Sequence, residues 1–292
     1  MSQNSAHLCD GMVPTCADKQ VHRQRFHCHN LPILTYFSPM TIQLQSLPAF
    51  GGLGTLPPKE PQPALPAASP YILTWETDVE AHIRHALEQR NPDKPFMVAI
   101  CGIPGSGKST SSEMLQAQLN DVGCALLPAD GYHYYRDYLM SQPNSADLIW
   151  KRGAPNTFDA VSLVHDLTNI RNGTQDYVWI PGFDHANGDP TPAAHCFRRQ
   201  QHKVVLCEGL YLLHDGDGFE HVRDLFDLTI YVEANLDLCM QRLKIRNRCI
   251  PGYTPAEINH RVDSVDRSNA LTVERSAIRA DLAVPSATSV SQ

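Results

Sequence analysis

The stretch Gly102-Ile103-Pro104-Gly105-Ser106-Gly107-Lys108-Ser109-Thr110 spells G-x-x-x-x-G-K-S, a pattern that wraps a phosphate chain. Its glycines let successive backbone N–H groups turn inward on the phosphates, and a helix starting at Lys108 adds the positive end of its dipole. Lys108 has the reach to meet the β- and γ-phosphates, and the Ser109 hydroxyl is a ligand that Mg²⁺ accepts. A second group stands at Ala129-Asp130-Gly131-Tyr132. There a carboxylate on the phosphate side can take the proton of an attacking hydroxyl, although an Asp-Gly turn alone also explains the pair. Glu208 closes the apolar run 203–207, a position from which an acid can hold Mg²⁺ or tune the attacking group. Arg152, ahead of a Gly-Ala-Pro loop, sits where a guanidinium can clamp an anion, and equally where a surface arginine simply flanks a loop. Asp184 and His185, after Pro181-Gly182-Phe183, can hydrogen-bond sugar or polyol hydroxyls, while Tyr132 or Phe183 can stack on an acceptor ring. A lone loop histidine is usually merely exposed.

The elements that must carry these groups are readable from periodicity. Apolar positions at helical spacing predict a helix over 77–89, and the run 96–101 predicts a buried strand entering the phosphate loop. A helix follows from 108 to about 120 with Met114, Leu115 and Leu119 inward, then a strand over 124–128. A helix over 159–170 starts at Asp159, which can serve as its N-cap. The β-rich run 177–180 predicts a short strand ending in a loop at 181–185, and strands are expected at 203–207, 226–232 and 281–284. A helix after Asn235 turns Leu236, Cys239, Met240 and Leu243 inward and sets Arg242, Lys244, Arg246 and Arg248 outward, a face that solvation alone would explain. A single helix is expected over 255–277, capped by Thr254. This β-loop-α-β order predicts an α/β fold of three layers, α/β/α, around a mostly parallel five-stranded sheet with ligands at the carboxyl ends of its strands.

Composition narrows the function classes. A formal charge of −7 argues against a general nucleic-acid binder, and no run reaches the roughly 18 apolar residues that span a bilayer. The nine cysteines are scattered and odd in number, as in reduced intracellular proteins. Cys9, Cys16, His27, Cys28 and His29 match no common zinc spacing. Ten of the 22 prolines precede residue 71, which predicts a disordered leader over 1–70, a catalytic domain over 71–285 and a polar tail over 286–292. The absence of acids between Lys19 and Lys59 faintly resembles an organelle transit peptide, but Asp10 and Asp18 precede it and no amphipathic face emerges. A cytoplasmic location is therefore expected, mitochondrial or plastid if the leader is a targeting signal.

The chain resembles the phosphoribulokinase, uridine kinase and bacterial pantothenate kinase group of P-loop kinases. The resemblance covers about residues 75–285. It is carried by the phosphate loop, Asp130-Gly131-Tyr132-His133, Arg152-Gly153-Ala154-Pro155-Asn156-Thr157-Phe158-Asp159, Pro181-Gly182-Phe183-Asp184-His185 and Val204-Val205-Leu206-Cys207-Glu208-Gly209. The Arg-Gly-Ala-Pro and Phe-Asp-His forms look most like a poorly characterised branch described as fructokinase-like or uridine-kinase-like. The resemblance implies ATP and Mg²⁺ as cofactors and a small-molecule hydroxyl as acceptor, with homodimerisation left open. It also implies acceptor-side roles for Tyr132, His133, Arg152, Asp159 and His185, and a lid helix supplying Arg242 and Arg246 to the transferring phosphoryl group. Two other classes compete. A GTP-driven switch lacks an Asn-Lys-x-Asp guanine-reading tetrad, and a non-catalytic nucleotide-binding scaffold is at odds with intact Lys108, Ser109, Asp130 and Glu208.

Overall fold

The computed structural model describes residues 73–90, 93–184, 187–249 and 252–287. The expectations for the leader, the Cys/His cluster within it, His185 and the tail beyond 287 lie outside the described residues.

Strand β1, Phe96–Gly102, is buried along its whole length, as a strand covered on both faces must be. Its alternate side chains sort into two apolar layers. Met97, Ala99 and Cys101 face the layer holding Leu163, Leu167, Cys239, Leu243 and Val273, whereas Phe96, Val98 and Ile100 face Val79, Ile83, Leu115 and Leu119. Each fully buried aliphatic side chain in these layers contributes roughly 1.5–3 kcal/mol relative to exposure. The remaining strands are β2 (Cys124–Pro128), β3 (Tyr177–Asp184), β4 (Asp189–Arg198), β5 (Val204–Gly209), β6 (Leu228–Glu233) and β7 (Leu282–Pro285). The main sheet runs β2-β5-β1-β6-β7 with every pairing parallel. The connection leaving β1 runs to one side, toward β2, while that leaving its neighbour β5 runs to the other, to β6, so the carboxyl ends of these two strands form the switch point at which such sheets bind ligands.

The helices are α1 (Glu80–Glu88), α2 (Lys108–Gln118), α3 (Arg136–Met140), α4 (Ser145–Trp150), α5 (Ala160–Asn172), α6 (Leu236–Arg246), α7 (Pro255–Arg261) and α8 (Arg267–Ser276). The α/β layering and the five-stranded parallel sheet match the sequence reading. Three particulars differ. The short strand ending in a loop is instead a two-stranded antiparallel ribbon, because β3 continues to Asp184 and pairs with β4 from Asp184↔Asp189 to Tyr177↔Arg198. Pro181, Pro190 and Pro192 made that segment read as loop; a ribbon whose two strands are both edges tolerates proline, and the register shifts between Ile180 and Gly182. The single helix over 255–277 runs unbroken but widens by one π-type turn at Val262–Asp266, and Thr254 forms a capping box with Glu257 at its start. The segment 136–150, with no periodicity long enough to read, holds the short helices α3 and α4.

Candidate active site

The phosphate loop joins β1 to α2. Gly105 has φ +80°, and a Cβ there would stand 2.9 Å from the carbonyl oxygen of Cys239, so only glycine lets α6 pack directly on the loop. Lys108 opens α2, half-buried, and its positive charge acts on both Glu208 of β5 and Cys239 of α6. The lid arginine candidate Arg242 lies one turn past Cys239, exposed, and its charge also reaches that thiol. Arg246 and Arg248 are exposed at the far end of the same segment, whereas Lys244 is paired with Asp263 at 2.7 Å.

Parallel register delivers the acids. Pro128 of β2 is level with Glu208 of β5, and Ile100 of β1 flanks Glu208 on its other side. Glu208 is therefore held at the sheet's carboxyl edge beside the phosphate loop. Its Oε1 accepts a hydrogen bond from Ser109 Oγ at 3.1 Å, while its Oε2 is buried without a partner among the described residues. Burial pushes this carboxyl above its usual range; Lys108 pulls it back and Asp130 pushes it further up. A buried, unpartnered carboxylate oxygen next to a hydroxyl and an ammonium calls for a cation, so the donor set fits the implied Mg²⁺.

Asp130 stands two residues past β2 in a tight turn, Ala129–Tyr132, half-buried and with no side-chain hydrogen bond among the described residues. Its carboxylate interacts electrostatically with Glu208 and with Tyr211. The turn is pressed against the ribbon: a Cβ on Gly131 would lie 2.3 Å from the carbonyl oxygen of Pro181. Tyr132 points to the other side, where its hydroxyl donates to Asp166 of α5 at 2.8 Å. Burial raises the Asp166 carboxyl and, more strongly, the Tyr132 phenol. Beside this pair opens a cavity of about 300 Å³ lined by Tyr132, Tyr134, Asp159, Asp166, Trp179 and Pro190, among others.

Arg152 is bound from several directions at once. Its guanidinium donates to the carbonyl oxygens of Gly188 and Tyr134 and to Asp189, the last two at 2.9 Å, and lies 5.6 Å from the Phe183 ring centre. Arg152 thus ties the Asp130-side loop to the turn of the ribbon. Asp159 caps α5, accepting from the Ser162 N–H at 3.0 Å and the Ser162 hydroxyl at 2.7 Å. Phe183 and Asp184 sit at the end of β3, half-buried, rather than on a loop.

Several residues in this region were not singled out from sequence. Tyr211 donates to the Gly153 carbonyl at 2.7 Å, and Arg261 donates to the carbonyls of Trp150 and Arg152, both at 2.7 Å, so two distant elements shape the Arg-Gly-Ala-Pro loop. Asp266 is a partly buried carboxylate whose pKa burial raises and Arg261 and Arg246 lower, linking the end of α6 to this side. Asn269 is buried, with its amide nitrogen 3.5 Å from where a Gly153 Cβ would be. Only Asp166 left a usable trace, seven residues and two helical turns beyond Asp159 on one face of α5.

A phosphate loop, a buried acid and a hydroxyl at its mouth, and a second acid after the neighbouring strand stand together at the carboxyl end of the sheet. The family model described as phosphoribulokinase / uridine kinase family matches residues 97–291. The chain belongs to this family. It is accordingly an ATP-dependent kinase acting on a hydroxyl of a small metabolite, which leaves the switch and scaffold readings without support. Among relatives, a "putative uridine kinase" of Schizosaccharomyces pombe is 29% identical over 204 residues, 68% of this chain and 86% of that protein. A pantothenate kinase of Mycobacterium sp. (strain KMS) is 32% identical over 155 residues, 51% of this chain, and this match spans 47% of the relative's length. Among solved structures, a "putative fructose transport system kinase" from Silicibacter sp. TM1040 superposes with a TM-score of 0.63 at 28% identity, covering 73% of this chain and all of that one. No helix among the described residues is long and apolar enough to cross a membrane.

Proposed function

We propose that this kinase phosphorylates a sugar, nucleoside or related polyol, with Asp130 as general base and with Lys108, Ser109 and Glu208 organising the donor. The observation that carries this reading is the alignment of β2 with β5, which sets Glu208 at the phosphate loop and starts the Asp130 turn beside it. The backbone from Gly102 to Thr110 cradles the phosphates, and the Lys108 ammonium balances their charge. Ser109 and Glu208 are the residues that would hold Mg²⁺, which when bound neutralises charge on the β- and γ-phosphate oxygens. Asp130, whose carboxylate makes no hydrogen bond among the described residues and acts on Glu208, takes the hydroxyl proton as the oxygen attacks. Arg242 and Arg246 on α6 stabilise the migrating phosphoryl group, with the lid shielding it from water. On the acceptor side, Tyr132, Phe183 and Asp184 frame the substrate and Arg152 and Asp159 hold the frame in shape, while His185, outside the described residues, stays in the set on its sequence alone.

The test is acceptor-dependent ADP release across uridine, fructose, other neutral sugars and nucleosides, pantothenate and glycerate. Asp130→Asn is then assayed on the best acceptor. ATP binding unchanged with phosphotransfer reduced on the order of 10²–10⁴-fold is expected. Full phosphotransfer by this variant would remove the base assignment.

A further inference from the structure

His133 lines the cavity beside Tyr132, and one edge of its ring is tied to the Asp130 turn. Its Nδ1 lies 2.8 Å from the carbonyl oxygen of Asp130. A carbonyl only accepts, so Nδ1 carries the proton. The same carbonyl accepts the backbone N–H of His133 at 3.2 Å, so both of its lone pairs are engaged by one residue. The ring packs against two aromatics from separate segments: Phe158, with centroids 3.9 Å apart, and Phe183, at 4.9 Å. The backbone follows the ring. His133 forms an isolated antiparallel bridge with Phe158, the Tyr134 N–H donates to the Thr157 carbonyl at 2.9 Å, and the Asp159 N–H donates to the Tyr132 carbonyl at 2.7 Å. One side chain therefore joins the Asp130 turn, the segment leading into α5, and the ribbon.

We infer that His133 is a positioning residue: its Nδ1–H fixes the Asp130 peptide, and so the direction of the Asp130 carboxylate. The peptide plane sets where the Cα–Cβ bond of Asp130 points, since ω is fixed and only two soft torsions remain. A lost clamp at the carbonyl lets that plane rotate, and a general base displaced by about 1 Å costs on the order of 10²-fold in rate. This inference rests on the assignment of Asp130 as general base.

Three variants and one spectrum test it. His133→Phe keeps a ring against Phe158 and Phe183 but removes the donor; His133→Asn shrinks the ring but restores an N–H near the Nδ1 position. With the best acceptor from the ADP-release panel, His133→Phe should lower kcat roughly 10–100-fold while leaving KM for ATP and acceptor nearly unchanged, the signature of an interaction that matters in the transition state. His133→Asn should recover most of the lost kcat. A rise in acceptor KM at constant kcat in His133→Phe would make His133 a substrate ligand and overturn the inference; so would equal losses in the Phe and Asn variants. Asp130→Asn, run alongside, separates the two readings: if it retains full activity the base assignment falls whatever His133 does, and if it alone is inactive the base assignment stands while the positioning role falls. Should the variants unfold, the ¹⁵N imidazole spectrum of the wild-type protein still decides. A protonated Nδ1 is expected at neutral and mildly alkaline pH, and a bare Nδ1 would overturn the inference without any kinetics.

Discussion

The donor and acceptor halves proposed for this site are built in different ways. The donor half is local: Gly102 to Thr110 are consecutive, and Glu208 arrives one strand away through regular parallel register. The acceptor half is assembled from at least four distant segments. Arg152 reaches Gly188 and Asp189, Tyr132 reaches Asp166, Tyr211 reaches Gly153, and Arg261 reaches Trp150 and Arg152. Phosphate is the same ligand in every nucleotide, so backbone N–H groups and one lysine suffice to bind it. An acceptor must be told apart from other metabolites, which takes side chains placed by tertiary contacts.

Of the substitutions that set one half against the other, the largest effect should come from Lys108→Ala. Loss of the ammonium that balances the phosphate oxygens is expected to lower kcat roughly 10²–10³-fold and to weaken ATP binding together with it. Thermal stability should barely move, because the Lys108 side chain makes no hydrogen bond or ion pair among the described residues; the Ser112 hydroxyl donates to its backbone carbonyl instead. Isothermal titration with a non-hydrolysable ATP analogue and steady-state kinetics check this. Undiminished nucleotide affinity would mean that the donor half does not rest on the loop, and the contrast between the halves would fail at its firmest point.

Arg152→Met addresses the other half. It leaves Asp189 partly buried without its cation and removes two donors from carbonyls, and breaking such a pair costs on the order of 3 kcal/mol. A lowered Tm and a raised acceptor KM are expected, with ATP affinity unchanged. A parallel loss of ATP affinity would show that the two halves fold and bind as one, and would break the comparison.

The same division explains what the sequence made legible. β1, β2, α2 and the phosphate loop were readable because each is a continuous run with its own period or turn chemistry, and a parallel sheet buried on both faces writes apolar runs that need no partner to be recognised. Glu208 was found as a strand end. The ribbon was hidden because β4 contains Pro190 and Pro192, and nothing local tells a two-edged ribbon from a proline-rich loop. Arg152 was visible as a residue but its partners were not: Gly188 and Asp189 lie 36 and 37 positions away, and no periodicity links them. Asp266 and Asn269 were lost inside what read as one uniform helix, since a polar residue turned inward looks no different in sequence from one turned out.

Glu208→Gln gives the smallest effect and the finest division, because it separates what the donor half does from how stable it is. Burial raises the Glu208 carboxyl above its unfolded value, so between the ordinary carboxylate range near pH 4 and the raised folded value the native state holds the proton more tightly than the unfolded chain does. Stability from this group is accordingly lost as pH rises through that window and is lowest once the carboxylate is charged. A neutral amide escapes the penalty. In the absence of nucleotide and Mg²⁺, Glu208→Gln should raise Tm by about 2–4 °C at neutral pH, and the gain should vanish as pH falls toward 4, where wild-type Glu208 is neutral too. Adding ATP with Mg²⁺ should reverse the order, stabilising wild type more than the variant, since the charged oxygen that is unpartnered without a cation is the one that would hold it. Calorimetric scans across pH, with and without ligand, read both effects. A variant that is less stable than wild type without ligand would mean that the Ser109 hydrogen bond outweighs burial, and that the donor half, like the acceptor half, is held together by the side chains it uses.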